Sequence, residues 1–404
     1  LFPGLSAGWV ISEENFFEPL KDVFSFFKLK GSWGMMGNDN ITAYQYLSMY
    51  SFNTDSYYAF GKTPVSVQSI YETVTANPLV TWETAKTWNI GFSSQFLNGK
   101  LGLDLDYFQS NRNDILITRN ASIPTYSGLS LPAENLGKVK NHGFEAIATY
   151  RDSKGDFEWG VTGNVTYAKN EVVYADEAAD TPAWQRETGH PIDGGTYYKA
   201  LGIYQTQEQI ESTPHLSGTK IGDLIYQDTN KDGNITWDDA VRRDKSATPK
   251  WIFGLTLNGS WKGMDVNAFF QGQADAEILV QPTMNMATDF YEGRWSESNT
   301  AEQNAAAKWP RAFMKASSVD NRNSQSSTWW LRDASFVRLK SLEIGYTFPK
   351  TLISPLGVEK LRLYVNGNNL FTIDSVGIFD PEMTNGIRGY SLQRSWTFGL
   401  NVTF

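Results

Sequence analysis

The sequence has no cysteine and only three histidines, at positions 142, 190 and 215. Disulfide scaffolds, thiol chemistry and cysteine-built zinc sites are therefore excluded. No run of about eighteen uncharged apolar residues occurs, so no helix is expected to span a membrane. Clusters of lysine and arginine are also missing. The net charge is −9 over 404 residues, and an acidic chain without a basic face makes a poor partner for nucleic acid. The opening LFPGLSAGWVISEENFF lacks the basic and then apolar segments of a signal peptide. The expectation is a chain that is either cytoplasmic or has its true beginning elsewhere.

What is abundant is aromatic and flexible. There are 14 Trp, 19 Tyr, 24 Phe and 34 Gly, a β-leaning profile, although the mean hydropathy of −0.39 is polar overall. Segments of about ten residues alternate apolar and polar side chains with period two, the signature of strands with two different faces. Trp88, Ile90, Phe92 and Phe96 share one face against Asn89, Ser93 and Gln95. After the turn NGK, Leu101, Leu103, Leu105 and Tyr107 oppose Asp104 and Asp106, so the pair predicts a hairpin. The same pattern recurs at 157–167, 251–261, 264–271, 337–348, 360–370 and 395–404. The chain closes on Trp396, Phe398, Leu400, Val402 and Phe404 on one parity, which places an aromatic at a membrane interface.

Short turns near 98, 153, 262 and 350 alternate with long polar stretches at roughly 38–85, 111–139, 171–247, 275–335 and 372–390. Short turns on one side and long loops on the other are the sidedness of an outer-membrane barrel, whereas such loops are out of place in a compact soluble domain. The predicted fold class is all-β: an antiparallel transmembrane outer-membrane β-barrel of about eleven strands, with long extracellular loops and short periplasmic turns. An odd number does not fit single-chain bacterial barrels, and an open edge in lipid leaves backbone groups unpaired. Residues 1–404 are thus expected to be the C-terminal portion of a longer barrel, in the outer membrane of a Gram-negative envelope.

At this point LSAGWVISEENFF, FKLKGSWGMMGNDNI, NPLVTWETAKTWNIGF, NHGFEA, GDLIYQDTNKDGNIT, LRDASFVRLKSLEIGYTFP, LRLYVNGNNLF, FDPE (379–382) and WTFGLNVTF together resemble the SusC/RagA-type TonB-linked outer-membrane transporters. The resemblance covers nearly the whole chain. It implies a plugged barrel of about 22 strands, of which these residues form roughly half. It further implies active import of oligosaccharides or peptides, energised by TonB, under a SusD-like surface lipoprotein lid. The plug domain, TonB box and signal peptide would lie outside these residues. Two alternatives share parts of the pattern: a passive porin-like channel, and a soluble all-β glycan-binding or glycan-degrading protein.

The sharpest local motif is DTNKDGNITWDD. Asp228, Asn230, Asp232, the carbonyl of Asn234 and Asp239 stand at positions 1, 3, 5, 7 and 12 around Gly233, the donor spacing of a calcium loop. Ca²⁺ is expected there as a staple, with position 12 an Asp rather than the usual Glu. No catalytic motif is present, and Asp104 with Asp106, or Asp238 with Asp239, read as polar wall rather than a glycosidase couple. Loop aromatics Trp184, Tyr197, Tyr198, Trp295, Trp329 and Trp330, with Tyr57, Tyr58, Tyr71, Tyr204 and Trp309, are candidates for substrate contact, because ring faces cover sugar or peptide apolar groups.

Overall fold

The computed structural model describes the chain except for residues 54–56, 59–61, 63–64, 67–68, 120–130, 281–286, 313–321 and 384–390. Its frame is an eleven-stranded antiparallel sheet in which every strand pairs with its neighbour in the chain's own order. The strands are β1 (Gly4–Val10), β2 (Phe24–Asn38), β3 (Glu83–Phe96), β4 (Leu101–Thr118) and β5 (Ala133–Lys154). They continue as β6 (Phe157–Tyr174), β7 (Trp251–Trp261), β8 (Met264–Ala274), β9 (Phe336–Thr347), β10 (Lys360–Asp374) and β11 (Ser395–Thr403). The sheet does not close: β1 and β11 each pair on one edge only.

The register carries the expected faces across all eleven strands. One row runs Ile90, Tyr107, Phe144, Tyr167, Trp251, and another runs Gly163, Leu255, Phe270. At the last strand Val365 pairs Phe398 and Leu363 pairs Leu400. A bulge between Leu339 and Ser341 flips parity and brings Leu339 and Val337 onto the same apolar face. Much of this face is uncovered: Phe398 is 81% exposed and Ile90 59%. A face of this extent is tolerated against lipid and not against water.

Aromatic rings bracket the apolar band. At the loop end, Trp88 meets Tyr107 at 5.3 Å, Phe144 meets Trp251 at 5.7 Å and Tyr167 meets Trp251 at 4.7 Å. At the turn end stand Trp159 with Tyr150 at 5.1 Å, Trp261, and Tyr346 with Phe348 at 5.0 Å. Trp251 and Trp261 lie at the two ends of β7. Ten steps of about 3.3 Å at a tilt of about 40° give a height of about 25 Å, the thickness of an outer-membrane apolar belt.

The opposite face is polar and cross-linked. Lys30 Nζ donates to Asp106 at 2.6 Å, reaching across Gly91, which pairs with both residues. A Cβ at Gly91 would sit 2.8 Å from the Asp106 carboxyl carbon, so only glycine leaves the path open. Gly345 plays the same part at the far side, where Arg362 crosses it to reach Asp265 at 3.0 Å and Glu343 at 2.7 Å. Asp104 accepts from Ser93 on the neighbouring strand, so this carboxylate and Asp106 are wall residues, each bonded across the sheet.

Two connections depart from the sequence reading. The stretch expected as loop at 111–139 is largely strand, because β4 runs to Thr118 and β5 begins at Ala133. Beyond the bilayer both faces meet water, so pairing persists while the alternation that reveals it lapses. The link near 350 holds a short helix, Lys350–Ile353, and a single tight turn, Ser354–Leu356.

Candidate functional site

The long connections fold over the loop end of the sheet into a cap with its own core. Tyr198, Ile203, Leu224, Tyr226, Ile235, Val280, Trp295, Trp309 and Trp330 pack as one cluster, with Trp309 stacked on Trp330 at 5.7 Å. The core joins the 175–250 and 275–335 connections, where Tyr198 N donates to Ser326 O at 2.9 Å; within the second connection Val280 N donates to Trp330 O at 2.7 Å. A buried polar network locks the same seam. Asp223 accepts from Asn323 at 2.8 Å and pairs with Arg311 at 2.6 Å, and Trp330 Nε1 donates to the Asn323 carbonyl at 2.9 Å. Burial pushes the Tyr198, Tyr204 and Tyr226 hydroxyls above the ordinary tyrosine range, since a phenolate there would lose its water.

This packing sorts the candidate aromatics. Tyr198, Trp295 and Trp330 are 5%, 8% and 1% exposed, so they build the cap rather than line a surface. Trp184 is half-buried, and its indole N–H donates to the Asp238 carbonyl at 2.8 Å. Tyr197 sits in a two-residue ladder with Val241, and burial, aided by the Glu277 charge, raises its hydroxyl. The side chains of Tyr57 and Tyr58 lie outside the described ones. Trp329 alone of the six principal candidates borders a described cavity of about 530 Å³. Asp289, Lys308, Trp309, Arg332 and Ile378 share its walls.

That cleft combines ring faces with charge of both signs. Arg332 donates through Nη1 to the Trp329 and Leu331 carbonyls at 2.8 and 2.9 Å and lies over the Trp309 ring at 5.1 Å. Burial draws its guanidinium below the ordinary range, opposed by the charge of Asp289. Asp289 in turn accepts from Trp309 Nε1 at 3.0 Å. Lys308, Arg332 and Asp289 were not read as site residues from the sequence, where they stand apart in polar stretches.

The loop Asp228–Asp239 is held by its own carboxylates. Asp228 accepts from the Lys231 and Gly233 amides at 2.7 and 2.9 Å, and Asp232 from the Asn234 amide at 2.7 Å. Fully buried Asp239 accepts from Thr229 at 2.7 Å, Asn230 at 3.2 Å and Thr236 at 2.8 Å. Among the described residues no group of three or more His, Cys, Asp or Glu converges as a preformed cage. The donor set still suits a hard cation: an ionised carboxylate offers about four lone-pair sites, and these amides leave some unused. Among the described residues none of the three carboxylates has a cationic side chain within ion-pair distance.

A second clamp gives FDPE its role. Arg338, on the polar face of β9 and 0% exposed, donates to both Asp380 oxygens at 2.7 Å and pairs with Glu382 at 2.8 Å. The connection after β10 is thereby pinned down onto the wall.

A one-layer sheet with an apolar belt between two aromatic girdles, and with an ordered cap at one rim, is the wall of a transmembrane β-barrel. The chain belongs to the family described as TonB dependent receptor-like, beta-barrel, whose profile matches residues 2–370; such barrels lie in the bacterial outer membrane. It is 28% identical over 438 residues to TonB-dependent receptor P3 of Formosa agariphila, covering 100% of this chain and 42% of that protein. With TonB-dependent receptor SusC of Bacteroides thetaiotaomicron it is 27% identical, covering 100% and 40%. The chain thus spans about two-fifths of the length of the curated relatives it matches. Among solved structures, that of the RagAB peptide transporter superposes with a TM-score of 0.74 at 22% identity, covering 100% of this chain and 43% of that one, a likeness of fold.

Proposed function

We propose that these residues form the C-terminal part of the barrel of a TonB-energised outer-membrane importer of oligosaccharides or peptides, working with a SusD-like surface lipoprotein. The observation that carries this reading is the sheet itself: one continuous apolar face, one continuous cross-linked polar face, and two free edges at β1 and β11. In hydrocarbon those edges require further strands. The polar face lines the passage, and the cap supplies the outer binding surface, with Trp329 and Arg332 as its contact residues. Binding there concentrates cargo but gives no direction by itself, so vectorial movement belongs to a plug and to TonB. A passive channel would share the wall and lack that dependence. The 228–239 loop is proposed to hold Ca²⁺, which would neutralise Asp228, Asp232 and Asp239 and fix the loop.

The test is uptake by cells carrying the full-length gene. Accumulation of labelled oligosaccharide or peptide that stops when TonB is deleted supports the importer; undiminished, concentration-driven entry without TonB would establish the channel instead. Lipoprotein recovered with the purified complex supports the lid. For the ion, one bound Ca²⁺ lost in the Asp228→Ala, Asp232→Ala double variant is expected, and an unchanged stoichiometry removes that proposal.

A further inference from the structure

At the loop end of the apolar face, lysines stand without anionic partners among the described residues. The register sets out three rows there. The aromatic row Tyr107, Phe144, Tyr167, Trp251 is followed one step outward by Trp33, Trp88, Gln109, His142, Lys169. The next row is Met35, Lys86, Asn111, Lys140, Glu171. All of these share the parity of Ile90 and Phe144, so they project on the lipid side. Each row is two residues, or about 5 Å of membrane depth at the tilt above. Lys169, Lys86 and Lys140 therefore stand about 5–10 Å beyond the aromatic girdle, at headgroup level.

Among the described residues none of these three lysines makes an ion pair, whereas Lys30, Lys100, Lys245 and Lys250 all do. His142 lies in the middle row, beside Lys169, with an Nδ1 that has no partner among the described residues. Glu171, across from Lys140, is the single carboxylate in these rows. Three cations against one anion, spread over four neighbouring strands β3 to β6, leave net positive charge where long lysine stems rise along the girdle. The surface is the height and sign for phosphate, and the girdle beneath it takes acyl chains.

We propose that Lys86, Lys140 and Lys169 form a site on the outer wall for an outer-leaflet lipid whose phosphates give its headgroup a net negative charge. Cationic side chains near an anionic lipid surface each strengthen binding by roughly fivefold. Replacing all three is then expected to weaken retention by about a hundredfold.

The experiment uses the full-length barrel in detergent, stripped of native lipid and back-titrated with a phosphorylated lipid A or a zwitterionic phosphatidylethanolamine, with native mass spectrometry as readout. Retention of lipid A by the wild type, and its loss in Lys86→Gln, Lys140→Gln, Lys169→Gln, is the expected result, with phosphatidylethanolamine unaffected. Lys28→Gln, on the polar face of β2, should retain lipid A like the wild type. Heat-modified gel mobility shows whether the triple variant still folds; if it does not, the single Lys140→Gln variant must show the roughly fivefold step. Equal retention by the folded triple variant overturns the proposal. So do equal losses of both lipids, or competition by millimolar inorganic phosphate alone, which would mark a free-ion site.

Discussion

Replacing Arg338 by methionine is expected to free the connection after β10 without unfolding the wall. The guanidinium is 0% exposed and its partners Asp380 and Glu382 are 12% and 28% exposed. Breaking a buried pair by removing one member costs about 3–5 kcal/mol, because the other charge is left without compensation. Glu382 retains some water, so the lower end applies, about 3 kcal/mol. That is a rise of about a hundredfold in the open population of the loop. Hydrogen exchange of the full-length protein reads it at the amides of Glu382, bonded to Asp380 Oδ1 at 3.0 Å, and Met383, bonded to the Asp380 carbonyl at 3.0 Å. The companion Arg338→Met, Asp380→Asn, Glu382→Gln removes the stranded charges and should recover most of the protection. If the single variant exchanges within twofold of wild type, or the triple variant exchanges as fast as the single, the clamp is not ionic.

Three further outcomes follow from the wall and its rim. Leu255→Arg, near the middle of the apolar belt on β7, should cost about 2–4 kcal/mol in urea unfolding from micelles, while Thr256→Arg one residue on should cost little. Gly91→Val is expected to sever Lys30 from Asp106 and overpack the polar face, lowering stability by about 1–3 kcal/mol, whereas Gly155→Ala, at a turn with open space around it, should not disturb any ion pair. Asp275 is raised by burial but lowered further by its bonds to Lys250 and Lys245, so it titrates below the ordinary 3.8. Its stabilising effect is complete above that ordinary value and disappears as the pH falls through the lower, folded-state value. Protease resistance of the cap should therefore hold from neutrality to about pH 4 and fall below it, and Asp275→Asn should flatten that step.

The wall was legible because lipid on one side and water on the other impose a strict alternation, and residues such as Trp251 to Trp261 display it without help from distant contacts. The same rule hid the outer ends of β4 and β5, where water on both faces removes the contrast that marks a strand. The cap was legible only as aromatic loop. Trp330 and Trp329 are adjacent and chemically identical, yet one is 1% exposed in a core and the other borders a cleft; residue type carries no information about which. Arg338 and FDPE were separately visible, but their union spans 42 residues and depends on how the last connection folds. The lysine rows needed the register of four strands before their common side and height could be seen.

The central claim is that one face of this sheet meets lipid and the other an aqueous passage. These 404 residues have no cysteine, so, with any cysteine elsewhere in the full-length protein replaced by serine, single cysteines placed in turn at positions 252 to 260 on β7 can carry a spin label. Collision with oxygen, concentrated in hydrocarbon, should peak at 253, 255 and 257, and collision with a water-soluble nickel chelate at 252, 254, 256 and 258. A flat profile, or alternation of the opposite phase, would contradict the account.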